Sequence, residues 1–408
     1  MAKKITIGII GLGNIGSALV RVLRQEGANI KVKKVCDVRK KKTPFPFTAK
    51  AAEIINDPEI DVVVEVVGGV KPALKYILAA LNNKKHVVTS NKEVIAKHMK
   101  QILAAARKNR VQVLFEAAVG GGIPIIQPLR EELADNKLSV VYGIVNGTTN
   151  YILTRMTKDG MEFSEALKKA QAKGYAEPDP TSDIKGYDAA YKAAILASVA
   201  FGAELNWRDV HCEGITKITQ DDIQYADQIG YVIKLLAVAK MVSGKLDVRV
   251  HPALVSKFHP LASVSDNFNA FYVKGEPVGE LMFYGPGAGG KPTASAIISD
   301  ILALARSKKP ARLKLRKIKI KKTDEISNRY YIRLQAPDKA GVLAGISKAF
   351  AQKKVSISAV VQKETVGNVA TIVIFLHEVV GKNLKAALKT IEKLSVVKKI
   401  CNVIRIVS

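Results

Sequence analysis

Cysteine is scarce, and Cys36, Cys212 and Cys401 are widely spaced and odd in number. Neither a disulfide framework nor a CxxC metal pair can be built from them. That usage fits a reducing compartment, and a cytoplasmic location is expected. Aromatic residues make up only 6% of the chain. The basic stretches therefore lack the interleaved rings on which nucleic-acid bases stack, and no nucleic-acid partner is expected. Apolar runs of membrane-spanning length, about 18 residues, are missing too. The closest approach, 193–203, follows Lys192, so no membrane span is expected. Lys3-Lys4 before Ile5–Ile10 imitates the start of a secretion signal, but the apolar stretch is short and a glycine-rich turn follows, so it reads as a first strand. Acidic residues are the last shortage: 36 against 64 Lys and Arg leave a net charge of +28 and a pI near 9.8. Such a balance favours anionic partners such as phosphates and acidic metabolites without choosing among them.

What is present suffices for several cores. With 408 residues, 48% of them apolar, two or three domains are expected. Strand-like runs at Ile5–Ile10, Lys31–Cys36, Val62–Val67, His86–Thr89 and Val111–Phe115 alternate with helical patterns. This alternation predicts an α/β unit with a Rossmann-type, doubly wound parallel sheet. The next stretch combines strand-like Leu138–Val145 and Ala270–Val273 with Ala-rich helices, predicting an α+β unit. A turn of glycines at 285–290 leads into a helix over Thr293–Arg306, and a Lys/Arg-rich run fills 307–328. The tail from Arg329 reads as βαββαβ, a ferredoxin-like order.

Gly11, Gly13 and Gly16 form GxGxxG between the first strand and first helix, with Asn14 and Ile15 inside the motif. A dinucleotide pyrophosphate would lie on the amides that open the helix. The same glycines also suit a plain tight turn. Asp37, at the end of the second strand, stands where an acid binds a ribose hydroxyl, which argues for NAD. Arg39 and Lys40, with Lys41 and Lys42 behind them, suit the 2′-phosphate of NADP. The choice between NADP and NAD stays open.

The segment 174–192 reverses the local charge, with Glu177, Asp179, Asp183 and Asp188 close together. Asp188 and Lys192 are spaced i,i+4 on a predicted helix, so their side chains can meet, either as a structural ion pair or as part of a site. This segment resembles the signature of the homoserine dehydrogenase family. Thr89-Ser90-Asn91-Lys92, Glu116–Pro124, Asn146–Tyr151 and the glycine turn before Pro292 are similar to it as well, and the tail is similar to an ACT regulatory domain. A monofunctional enzyme is implied rather than the form fused to an aspartate kinase.

The resemblance implies reversible, nicotinamide-dependent reduction of L-aspartate 4-semialdehyde to L-homoserine, in the biosynthesis of threonine, methionine and isoleucine. It casts Lys92 and Lys192 as catalytic, and Glu177, Asp183, Asp188, Gly147, Thr148, Gly174 and Tyr175 as substrate-binding. Gly68, Thr89, Asn91, Lys92 and Gly289 join the cofactor contacts. It further implies a Na+ or K+ ion held by the Glu116 carboxylate and the carbonyls of Val119, Gly121 and Ile123, although a tight turn explains those glycines equally. Threonine is the implied effector, bound near Asp338 and Gly341, and a homodimer or homotetramer is expected. The domains then read as a nucleotide-binding unit at 1–135 plus 286–316, a catalytic and dimerisation unit at 136–285, a basic linker at 317–328 and an ACT-like unit at 329–408.

Overall fold

β-branched residues fill strands buried on both faces, while Ala-, Leu- and Lys-rich stretches favour the helical crossovers between them. The computed structural model describes residues 4–25, 29–306, 313–366 and 368–407. Its first unit comprises β1 (Ile5–Ile10), α1 (Asn14–Gln25), β2 (Ile30–Cys36), β3 (Phe47–Thr48), α2 (Ala52–Ile55), β4 (Val62–Glu65), α3 (Lys71–Asn82), β5 (His86–Thr89), α4 (Lys92–Lys108) and β6 (Val113–Leu114). The six strands pair in parallel in the order β3-β2-β1-β4-β5-β6. This is the expected doubly wound sheet, and the order reverses between β1 and β4. Ile7, Ile9, Val62 and Val64 are fully buried, each contributing about 1.5–3 kcal/mol relative to exposure. β3 was not expected; two residues are too short to show a periodicity. The expected strands at Val62–Val67 and Val111–Phe115 shrink to β4 and β6, because the chain bends into a loop at 66–70 and into a 3-10 turn at Glu116–Ala118.

The second unit holds α5 (Ile126–Arg130), β7 (Lys137–Ile144), α6 (Gly147–Asp159), α7 (Phe163–Ala172), α8 (Thr181–Ile184), α9 (Tyr187–Phe201), β8 (His211–Cys212), α10 (Gln220–Gln228), β9 (Tyr231–Val242), β10 (Lys245–Ser256), β11 (Phe268–Glu276) and β12 (Gly279–Pro286). The long β9–β10 hairpin falls where Ala-rich helices were read. Its run of Ala, Leu and Lys lacks a two-residue alternation, and Pro252 interrupts the second strand, so both cues for a strand are blunted. Ser243 and Gly244 join the two strands with positive φ (50° and 74°), as a tight hairpin turn requires. α11 (Gly290–Arg306) returns to the first unit and packs on α1, its Ala294, Ile297 and Ile301 sharing a core with Ile7 and Ile9.

The tail consists of β13 (Ser327–Pro337), α12 (Val342–Gln352), β14 (Ile357–Val366), β15 (Val369–Val380), α13 (Gly381–Ile391) and β16 (Lys399–Ile406). Its strand order β16-β13-β15-β14 is the expected ferredoxin-like pattern. The tail does not carry a sheet of its own, however. β16 pairs in parallel with β10, Ala253 opposite Arg405 and Leu254 opposite Ile406, so one ten-stranded sheet runs through both units. In the basic stretch, Arg316 bridges to Ala203 and Ile320 to Leu246. Residues 313–322 are thus stitched along the second unit, whereas 307–312 lie outside the described residues. Among the described residues no helix is long and apolar enough to cross a membrane.

Candidate active site

The glycine loop after β1 has the geometry that a close-approaching phosphate needs. Gly11 has φ +110°, and a Cβ there would sit 2.7 Å from the Val66 carbonyl oxygen; one on Gly16 would sit 2.0 Å from that of Gly11. Gly13 faces open space. Behind the loop, the Asp37 carboxylate accepts from the Leu12 amide (2.7 Å) and the Arg39 amide (3.0 Å). The Lys41 ammonium donates to the Leu12 carbonyl at 2.6 Å and lies 3.4 Å from Asp37. Arg39 and Lys40 are exposed. Of the four basic residues, Lys41 is the one whose side chain reaches the glycine loop.

Across the cleft, Thr89 donates to the buried Glu65 carboxylate at 2.6 Å, and the Asn91 amide donates to the Thr89 hydroxyl. The Asn91 side chain donates to the carbonyls of Val67 and Gly69 and accepts from the Val94 amide, capping α4. Gly68 therefore sits in a loop tied directly to the start of α4. Gly289, with φ +113°, opens α11 on the same side, where Gly290 approaches Ala18. Burial pushes Glu65 up to about 7 despite its hydrogen bonds. Sequence reasoning missed this residue, whose only signal is a lone acid in an apolar strand.

Lys92, the first residue of α4, forms an ion pair with Asp188 Oδ1. Asp188 is only 4% exposed, and its Oδ2 accepts from Lys192 at 2.8 Å. Lys192, 7% exposed, also donates to the Val145 carbonyl at 2.6 Å. Asn146 donates from one nitrogen to Asp183 (2.7 Å) and to Asp188 (2.9 Å). Four of the expected residues are thus brought together, and Asn146, overlooked as a site residue, joins them. Burial opposes the charge on Asp188, yet Lys192 and Lys92 outweigh it and hold the carboxyl well below its usual range. Burial, aided by Lys92, lowers Lys192 even though Asp188 favours its charge. Burial also opposes charge on the half-exposed Lys92, but Asp188, Asp183 and Glu177 raise it. Burial and the Asp188 charge raise Asp183.

The rim comes from the segment after α7. Gly174 has φ +72°, Tyr175 is half-exposed and packs edge-on against Tyr151 at 5.0 Å, and Glu177 is exposed. Thr148 holds this rim by donating to the Tyr175 carbonyl at 2.7 Å, while Gly147 fits under Asn267. The Glu116 carboxylate is turned to the start of α5. It accepts from the amides of Ile125, Ile126 and Gln127 at 2.6–2.7 Å, where the α5 N-terminus satisfies its charge. The neighbouring glycines serve a close approach of turns: a Cβ on Gly121 would lie 2.4 Å from the Gly287 carbonyl. Among the described residues no cluster of three or more His, Cys, Asp or Glu could hold a metal ion. In the tail, Asp338 accepts from Gln362 at 3.1 Å, and Gly341 opens α12 with φ +86°.

Comparison with known proteins adds the chain's relatives. Residues 124–302 match the homoserine dehydrogenase family model, 11–116 match the model of that enzyme's NAD-binding domain, and 330–396 match the ACT domain. A homoserine dehydrogenase of Synechocystis is 42% identical, covering 99% of this chain and 100% of its own; that of Bacillus subtilis is 38% identical, covering 99% and 98%. The crystal structure of a homoserine dehydrogenase from Thiobacillus denitrificans superposes with a TM-score of 0.94 at 39% identity, over 99% of this chain and 98% of its own. A hyperthermophilic archaeal homoserine dehydrogenase mutant, solved in complex with NADPH, superposes with a TM-score of 0.64 at 27% identity, over 73% of this chain and 97% of its own.

Proposed function

This chain belongs to the homoserine dehydrogenase family of nicotinamide-dependent oxidoreductases, and on that premise we propose that it interconverts L-aspartate 4-semialdehyde and L-homoserine, using NADP in preference to NAD. The observation that carries this reading is the Lys92–Asp188–Lys192 cluster, which begins one residue after Asn91, itself bonded to the cofactor-cleft loop. When bound, the reduced nicotinamide supplies a hydride to the aldehyde carbon. The carbonyl oxygen then gains a proton, and Lys192, whose burial favours giving one up, is suited to donate it. Lys92, kept charged by its acidic neighbours, stabilises the developing alkoxide. In the oxidative direction Lys192 takes the hydroxyl proton back. The substrate ammonium fits Glu177 and Asp183, which line the acidic rim.

Lys41 supports the NADP preference: it lies over the glycine loop and offsets the Asp37 charge that would repel a 2′-phosphate. A Na+ or K+ ion at the 119–123 turn would have the backbone carbonyls of Val119, Gly121 and Ile123 as donors, since the Glu116 carboxylate is turned to α5. Threonine as effector rests on the Pro337–Gly341 loop, where Asp338 stands before the α12 N-terminus. Titrating L-threonine against the activity of the intact chain and of Asp338→Ala tests it; insensitivity of the intact chain rejects the effector. For the main reading, L-homoserine is offered with NADP+ and NAD+ and reduced nicotinamide is followed by absorbance. Turnover with both, faster with NADP+, is expected. No reduction of either cofactor overturns it.

A further inference from the structure

Residue 146 stands at the junction of β7 and α6, and its side chain works in two directions. The Oδ1 of Asn146 accepts from the Thr149 amide at 2.8 Å, which makes the residue the N-cap of α6, and the Thr149 hydroxyl lies 2.8 Å from the same oxygen. With the oxygen anchored, the amide cannot turn over without losing the cap. Its nitrogen is thereby pointed at two acids, one hydrogen to Asp183 on α8 and the other to Asp188 on α9. Those acids come from different helices, and their charges repel. Asn146 is 6% exposed, so little water is at hand to screen them.

We propose that Asn146 is a positioning residue of this active site. Its two N–H bonds hold Asp188 against the lysine pair and keep Asp183 apart as a separate anionic group facing the substrate. The proposal rests on the dehydrogenase reading for its kinetic arm, but not for its folding arm. The neighbouring Val145 carbonyl binds Lys192, so the β7–α6 junction fixes an acid through the side chain of one residue and a base through the main chain of the one before. An amide is required at 146 rather than any good cap. Asp caps a helix equally well, yet it would present acceptors where two donors are needed, and Asn can supply both.

That distinction gives the test. Asn146→Asp keeps the cap while facing Asp183, Asp188 and the nearby Glu177 with a fourth carboxylate; Lys92 and Lys192 are the cations close enough to offset it. Its own pKa should then be raised in the folded state, so stability is present at low pH and is lost as pH rises through that value. Thermal unfolding of the full chain without substrate, read at pH 5 and pH 8, should show a larger loss at pH 8 for Asn146→Asp and an equal loss at both for Asn146→Ser. The acid limb of kcat/KM for homoserine should move up by about one pH unit in Asn146→Asp. In Asn146→Ser it should stay in place while kcat falls about 10²-fold, with KM for NADP unchanged. An Asn146→Asp chain that folds at pH 5 and not at pH 8 supports the proposal; one that folds at neither leaves the kcat of Asn146→Ser to decide. Equal unfolding losses for Asn146→Asp at both pH values, or an Asn146→Ser enzyme with parental kcat, overturns it. A parent that never oxidises homoserine refutes the reaction, and the unfolding comparison still tests the arrangement.

Discussion

Two buried charge networks in this molecule look alike at first and are built differently. At the junction with the tail, Asp222 is fully buried and accepts from Arg333 (2.7 Å), Tyr331 (3.1 Å) and Asn402 (2.8 Å). Arg333 also reaches Asp221 and Thr219, and nearby Arg405 grips both oxygens of Glu213 at 2.9 Å. Asp222 is enclosed by fixed donors, with Asp221 and Glu213 at the more exposed edge of the network. The network around Asp188 is also deeply placed, but Lys92 remains half-exposed and Lys192 is lowered rather than raised. Enclosed charge docks one unit onto another; charge left open to a cleft, with a lowered base beside it, is available for chemistry. Glu213 also adjoins Gly214-Ile215, which dock on the Ile184 carbonyl just after Asp183. The closed network therefore sits behind the open one.

The contrast can be broken from either side. The largest effect is expected for Asp188→Asn, which removes the charge that both lysines face: kcat/KM for homoserine should fall about 10²–10⁴-fold in steady-state assays. Arg333→Ala should instead cost about 3–5 kcal/mol in denaturant unfolding, because Asp222 is left buried without its main partner. Activity per folded molecule should stay near parental, and Arg333→Met with Asp222→Leu should restore most of the stability. Glu177→Gln should raise KM for homoserine about tenfold, the loss of one charge-assisted hydrogen bond at the rim. Lys41→Ala should weaken NADP by up to about fivefold and leave NAD unchanged, as measured by cofactor titration. A further expected effect concerns pH. Glu65, raised to about 7 in the fold, contributes stability at low pH that is lost as pH rises through 7. Glu65→Gln should therefore unfold later than the parent at pH 8 and no later at pH 5.

Much of this contrast was legible in the sequence on one side only. GxGxxG after a strand, and acids and a lysine at fixed spacing in 174–192, are local patterns, and the side chains of Asp188 and Lys192 meet as their i,i+4 spacing predicts. The partner Lys92 and the amide of Asn146 come from remote elements, and their arrangement depends on how α4, α6 and α9 pack. Nothing in Arg333 or Asp222 alone announces a contact, because it depends on β16 joining β10 far along the chain. The β9–β10 hairpin was hidden by a composition that suits helix and strand alike. Glu116 adds a further case: the resemblance that implies an ion there is carried by local residues, whereas the three amides its carboxylate accepts from are supplied only by the tertiary turn. Because the sheet is continuous, removing the tail would strip Asp222 of Arg333, Tyr331 and Asn402 together.

The most direct test of the contrast is kcat for L-homoserine oxidation with saturating NADP+, measured side by side for the parent, Lys192→Ala and Arg333→Ala at a temperature where all three are folded. An open catalytic network and a closed docking one predict a loss of at least about 10²-fold for Lys192→Ala and a near-parental rate for Arg333→Ala. A near-parental rate for Lys192→Ala, or an equal loss in both variants, would contradict the division of labour drawn here.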